Sequence, residues 1–201
     1  MKDIEIRNLR KSYDGKPVLR GLNLTLPSGR VTAILAPSGY GKTTLLRCLL
    51  SLETPDGGTI DGLEGVRVSA VFQEDRLCEG FGPVANLRLV APRLTDSEAM
   101  EALRAFHLEG SADQPVSAFS GGMKRRVALL RALLADYDLL MLDEPFHGLD
   151  EELREQIMEE TARRSRGRTV VLVTHDPYEA ECMEAAQVIH LDSLEEKSCE
   201  S

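Results

Sequence analysis

The sequence predicts an α/β fold built on a parallel core sheet, with a smaller antiparallel β portion at its N-terminus. Three observations carry this. Apolar runs suited to buried strands (Val31–Leu35, Leu139–Leu142, Thr169–Val173) alternate with helical patterns. A glycine-rich turn joins the first of these runs to a helix. Before it, Ile4 and Ile6, and then Leu22, Leu24 and Leu26, alternate with polar neighbours, as in an antiparallel sheet with one wet face.

The elements follow in order. Short strands fill the N-terminal part up to the turn Pro27-Ser28-Gly29. The Val31–Leu35 strand then leads into a helix expected over Lys42–Leu52. Gly57-Gly58 introduces a short strand near Thr59-Ile60, and Val68–Phe72 forms the next strand. Residues 75–135 turn helical. Thr95 and Glu98 have the spacing of a capping box for a helix running through Phe106. Ser120 is placed to cap a helix running through Ala135. A charged amphipathic helix, Glu151–Ser165, stops near Gly167 and separates the last two long apolar runs. Val188–Leu191 supplies a final strand, and the polar residues beyond Asp192 are expected to fray.

Composition narrows the function. At 201 residues the chain is about one domain on a scale of about 150 residues each. Its 33 acidic and 24 basic side chains leave a net charge of −9, which counts against a nucleic-acid partner. No apolar run exceeds four residues, so no segment is expected to span a bilayer. Met1–Arg7 has no apolar core, so no signal peptide is expected. Cys48, Cys78, Cys182 and Cys199 are scattered, without metal-ligand spacing, and are expected to be reduced thiols.

Ala36-Pro37-Ser38-Gly39-Tyr40-Gly41-Lys42-Thr43-Thr44 follows a strand and opens a helix, the context of a Walker A loop in a P-loop NTPase. Ser38, Gly39, Tyr40 and Gly41 supply the turn in which backbone N–H groups surround a polyphosphate. Lys42 reaches the β- and γ-phosphates, the Thr43 hydroxyl binds Mg²⁺, and Thr44 completes the loop. Tyr40 either covers the phosphates or faces solvent. Ala36 stands where the pattern has glycine; it costs roughly 1 kcal/mol if that position needs a positive φ. Nucleotide binding is nonetheless expected to survive.

Leu139–Leu142 ends in Asp143-Glu144, the Walker B arrangement. A buried parallel strand delivers its last residues to the sheet edge where ligands bind. Asp143 is the candidate Mg²⁺ holder and Glu144 the candidate base for water; alone, such a pair can also cap a helix or face solvent. His175, beyond the Thr169–Val173 strand, and Gln73, beyond Val68–Phe72, end strands at the same edge. They are candidate contacts to the γ-phosphate and to water or Mg²⁺. His147 has no assigned role and reads as an exposed loop histidine.

Phe119-Ser120-Gly121-Gly122-Met123 opens a second helix N-terminus suited to an anion. With Walker A, Gln73, this signature, Walker B, Gly148-Leu149-Asp150 and His175 in this order, the sequence resembles the nucleotide-binding subunits of ABC transporters over nearly its whole length. The resemblance implies one ABC ATPase domain over 1–201. A β lobe and core would occupy 1–72 and 136–192, a helical signature lobe 75–135, and a polar tail 193–201. It implies Mg²⁺ with ATP, Tyr13 stacking on adenine beside Val18, Gln73 as the Q-loop and Asp150 as the D-loop. A Tyr13 packed at a strand edge is the plainer alternative. Two subunits would sandwich two ATP molecules, each touching Ser120, Gly121, Gly122 and Met123 of the opposite subunit.

The partners implied are a separate transmembrane permease subunit, a second ATPase subunit and a solute-binding protein. The site of action is the cytoplasmic face of the membrane. Leu77 and Phe81 either dock the permease or pack within the helical lobe. The Gly-Gly-Met-Lys-Arg-Arg-Val-Ala run and Val71–Leu77 are similar to bacterial importers of nitrate, sulfonate and taurine. A soluble ABC-type ATPase acting on nucleic acid or ribosomes is the alternative function, and a P-loop kinase the third. The signature and D-loop count against the kinase.

Overall fold

Two strands longer than the alternation predicts open the chain. The computed structural model describes residues 1–37 and 39–191. In it β1 (Ile4–Tyr13) and β2 (Lys16–Leu26) form an antiparallel hairpin. Asp14 and Gly15 turn it, both with positive φ, the backbone that a tight two-residue turn requires. Then come β3 (Val31–Leu35), α1 (Lys42–Leu49), β4 (Gly57–Asp61) and β5 (Val68–Val71). The helical part holds α2 (Pro83–Arg88), α3 (Asp96–Ala105) and α4 (Gly121–Leu134). The chain closes with β6 (Leu139–Asp143), α5 (Glu151–Ser165), β7 (Thr169–Thr174), α6 (Pro177–Cys182) and β8 (Gln187–His190).

The strands sort into two sheets, an antiparallel β2-β1-β4 and a parallel β5-β6-β7-β3-β8. The parallel register aligns Leu35 with Thr174, Asp143 with Val173, and Val71 with Leu142. Strands β3, β5, β6 and β7 therefore end at one level. β7 lies between β3 and β6, so His175 emerges between the two phosphate-site strands.

The period of two along each strand divides the core. Leu140, Leu142, Val170 and Leu172 face one cluster, shared with Phe106, Val127, Leu130 and Phe146. Leu139, Met141, Val171 and Val173 face the other, shared with β1, β2 and α1. A sheet covered on both faces needs strands apolar at every position, which is why these runs show no alternation.

Several boundaries differ from expectation. α1 ends at Leu49, not Leu52; Leu50 caps it and Ser51 has a positive φ. Residues 75–82 are not helical, although the sequence reads as helical from there. The Thr95–Glu98 capping box forms as expected, with Thr95 Oγ1 accepting from the Glu98 N–H and Glu98 accepting from the Thr95 N–H. The expected Phe106 and Ala135 ends prove to be the C-caps of α3 and α4. Cys48, Cys78 and Cys182 are free thiols. Cys199 and the polar tail lie outside the described residues.

Candidate functional site

The turn between β3 and α1 is shaped by its glycines. Gly39 and Gly41 have φ of 91° and 79°, in the left-handed region. Gly41 is doubly constrained, because a Cβ there would lie 3.0 Å from the side chains of Val18 and Leu19. Ala36 is not among the residues with positive φ, so it carries none of the conditional strain. Its carbonyl accepts a 2.7 Å hydrogen bond from Lys42 Nζ. Ser38 lies outside the described residues.

Lys42 is the first residue of α1 and is buried. Its ammonium also donates to Glu144 Oε1 at 3.1 Å. Glu144 follows β6 with a φ of 46°, a backbone that costs on the order of 1–3 kcal/mol for a non-glycine residue. Its N–H extends the β6–β7 ladder to Val173 O at 2.9 Å, so the sheet itself holds this conformation. Burial pushes the Glu144 carboxyl up, but Lys42 and, less strongly, His175 together outweigh it and hold the group below its ordinary value. His175 Nδ1 stands 3.5 Å from Glu144 Oε2 on a side chain that is 59% exposed.

Asp143 differs from its neighbour. Burial pushes its carboxyl above the usual range, although Thr43 Oγ1 donates to Oδ2 at 3.3 Å. Its Oδ1 is buried with no hydrogen-bond partner. A carboxylate oxygen left bare beside a threonine hydroxyl fits a hard, oxygen-seeking cation. Thr43, Asp143 and Gln73 would hold Mg²⁺, which when bound to the phosphates neutralises charge developing on their oxygens.

These groups converge on an open cleft of about 230 Å³ walled by Val18, Gly39, Gly41, Lys42, Thr43, Thr44, Gln73 and Glu144. Tyr13 and Tyr40 lie outside that wall, each about 40% exposed (39% and 41%). Lys11 Nζ sits 5.4 Å from the Tyr13 ring centroid. Ser120 is also outside it. It caps α4, accepting from the Met123 N–H at 3.2 Å. Gly121 has open space around it, while Gly122 lies against the backbone before Asp150, with Gly148 O 3.2 Å from where a Cβ would be. Met123 packs against the larger core cluster. Asp150 is the exposed N-cap of α5. Leu77 packs into the helical part, whereas Phe81 is 60% exposed.

A second hollow, beside the first, holds residues that the sequence does not single out. Arg154 of α5 donates to Asp176 Oδ2 at 2.6 Å and to the buried Glu179 Oε1 at 2.5 Å, on either side of the turn after His175. Tyr178 Oη donates to Glu155 Oε1 at 2.8 Å. The helix beginning at Asp150 is thus tied to the segment carrying His175. No local spacing announces these contacts, since the partners are more than 20 residues apart.

A strand–loop–helix suited to cradling phosphate, with adjacent carboxylates at the end of the next strand but one of a parallel sheet, defines a P-loop ATPase. The family model described as ABC transporter matches residues 19–147. The aliphatic sulfonates import ATP-binding protein SsuB 1 of Nocardia farcinica is 43% identical, over 94% of this chain and 78% of that protein. The Nod factor export ATP-binding protein I of Ralstonia nicotianae is 37% identical, over 89% of this chain and 61% of its own. Among solved structures, the dimeric post-hydrolysis state of the ATP-binding cassette MJ0796 bound to ADP and Pi superposes with a TM-score of 0.80. It is 27% identical, with 93% of each chain covered. The chain belongs to the ABC transporter family, as an ATP-binding subunit with ATPase activity. No helix among the described residues is long and apolar enough to cross a membrane.

Proposed function

We propose that this chain powers a bacterial importer of small organic or inorganic anions, with aliphatic sulfonates the first class to test. The observation that carries the catalytic reading is the convergence of Lys42, Thr43, Asp143 and Glu144 on one cleft. The sulfonate-import relative at 43% identity supports the direction and the cargo. Glu144, charged and aimed at the cleft, accepts the proton of the attacking water. His175 orients the γ-phosphate, and Gln73, Thr43 and Asp143 hold Mg²⁺. Walker A residues Ser38 to Thr44 bind the phosphates, with Tyr13 and Val18 at the base.

Residues 1–72 and 136–192 act as the nucleotide-holding core and 75–135 as the helical lobe. Two chains pair with two ATP molecules between them. Ser120, Gly121, Gly122 and Met123 of each close over the nucleotide of the other, and Asp150 lies at the seam. The separation of Ser120 from the cleft of its own chain supports this arrangement. The dimeric form of the MJ0796 structure agrees with it. The exposed Phe81 supports docking of a separate permease at the cytoplasmic face, where a solute-binding protein would deliver the cargo.

The test is Glu144→Gln. It should lower the turnover rate at least about a hundredfold while ATP binding stays within about twofold, and it should trap a dimer. Hydrolysis at the normal rate would remove Glu144 as the base. Loss of growth on an alkanesulfonate as sole sulfur source, after deletion of the gene, would support the cargo. Normal growth would exclude it.

A further inference from the structure

The segment Phe72–Glu79 leaves β5 without regular structure, with Gln73 at the cleft, yet it is not loosely hung. Three cations of α4 grip it. Arg125, with only 8% of its side chain exposed, donates from Nη1 to Phe72 O at 2.5 Å and from Nη2 to Gln73 O at 2.7 Å. The same guanidinium lies 3.2 Å from Asp75 Oδ1. Arg131 donates to Asp75 O and Arg76 O, at 3.3 and 3.1 Å. Lys124 Nζ reaches Glu79 Oε1 at 2.7 Å.

A chain leaving a sheet needs donors for its carbonyls, and a planar guanidinium offers several in fixed directions. The next residue shows what a purely architectural arginine does here. Arg126 is equally buried and donates to Phe106 O and His107 O at the end of α3, and at 3.4 Å to Gly122 O one turn back in its own helix, all away from the cleft. Arg125 instead holds the carbonyl of Gln73 itself, a residue that walls the cleft. Five residues before it, about 7.5 Å along the helix, Ser120 caps the same α4.

We propose that Arg125 is a positioning residue for Gln73, fixing the backbone from which the Gln73 amide reaches Mg²⁺. The inference rests on the reading of Gln73 as a Mg²⁺ contact. Through Arg125 the loop serving this chain's own nucleotide is fastened to the helix that presents Ser120 to the nucleotide of the other chain.

The experiment compares R125M, R125K, Q73A and the double variant R125M/Q73A. R125M keeps the stem and loses the donors. Equilibrium binding of a fluorescent ATP analogue is measured with Mg²⁺ and again with excess EDTA, alongside the Mg²⁺ concentration for half-maximal hydrolysis. R125M should weaken Mg²⁺-dependent binding about tenfold and raise the half-maximal Mg²⁺ by a similar factor, the scale of a lost charge-assisted hydrogen bond. Binding in EDTA should stay within about twofold, which a merely loosened fold would not spare. R125K should recover part of the loss. Q73A should show the same pattern, and the double variant should be no worse than Q73A. If Q73A has the Mg²⁺-specific defect and R125M does not, or if the double variant falls by the product of the two, Arg125 only supports the fold and the proposal is overturned. If Q73A itself leaves the Mg²⁺ dependence unchanged, the reading of Gln73 fails, and the role assigned to Arg125 fails with it.

Discussion

The two helix N-termini suited to phosphate are closed in different ways. α1 opens after Gly41, whose lack of a side chain leaves it with no side-chain cap, and its first residue is Lys42. α4 is capped by its own Ser120, whose oxygen accepts the Met123 N–H. The first terminus is finished only by what enters the cleft. The second has one of its free N–H groups, that of Met123, satisfied within its own chain, and its Ser120 still has a hydroxyl hydrogen to give. On the function proposed above, the first captures a nucleotide and the second meets one already held.

The largest effect that this contrast predicts is at Lys42. Lys42→Ala removes the only side-chain cation that walls the cleft among the described residues. It also leaves Glu144 without the ammonium that holds its carboxyl low. ATP affinity of the isolated chain should fall about a hundredfold or more, as read by equilibrium binding. An affinity within a few-fold of the parent would mean that the open terminus of α1 does the capturing without its lysine.

Ser120→Ala should act elsewhere. Loss of the cap costs about 1 kcal/mol of stability, visible as a modest drop in melting temperature. ATP binding to the single chain should stay within about twofold, because Ser120 does not wall the cleft. Turnover of the assembled pair should fall about tenfold or more. If Ser120→Ala weakened binding to the single chain as strongly as Lys42→Ala, both termini would serve one site and the contrast would collapse.

The same contrast explains what could be read from the sequence. Strands β3, β6 and β7 and the phosphate turn are legible because contiguous residues determine them: apolar runs, glycines and a terminal Lys-Thr or Asp-Glu. The Ser120 cap is legible for the same reason. The contacts of Arg125 and Arg154 are not, because each depends on partners 22 to 53 positions away. A buried arginine in a run such as Lys124-Arg125-Arg126 looks like solvated charge until the fold supplies carbonyls for it. Residues 75–82 mislead similarly. The carbonyls of Asp75 and Arg76 accept from Arg131 of α4, those of Cys78 and Gly82 from the Asn86 amide of α2, and those of Glu79 and Phe81 from the Ser117 and Val116 N–H groups, and no local pattern distinguishes these bonds from helical ones.

The smallest predicted effect tests the capture terminus at its first residue. Ala36 stands where the phosphate-loop pattern has glycine, yet its φ is not left-handed, its side chain is buried in the β1–β2–α1 core and its carbonyl serves Lys42. Glycine there would lose a packed methyl and gain freedom in the unfolded chain. Ala36→Gly should therefore destabilise the fold by about 0.5–1 kcal/mol and leave ATP affinity within about twofold. Thermal melts and nucleotide titrations read the two quantities separately. Tighter ATP binding in Ala36→Gly, by tenfold or more, would show that alanine strains the loop when phosphate is bound. The open terminus would then be tuned by its first residue as well as by Gly39, Gly41 and Lys42.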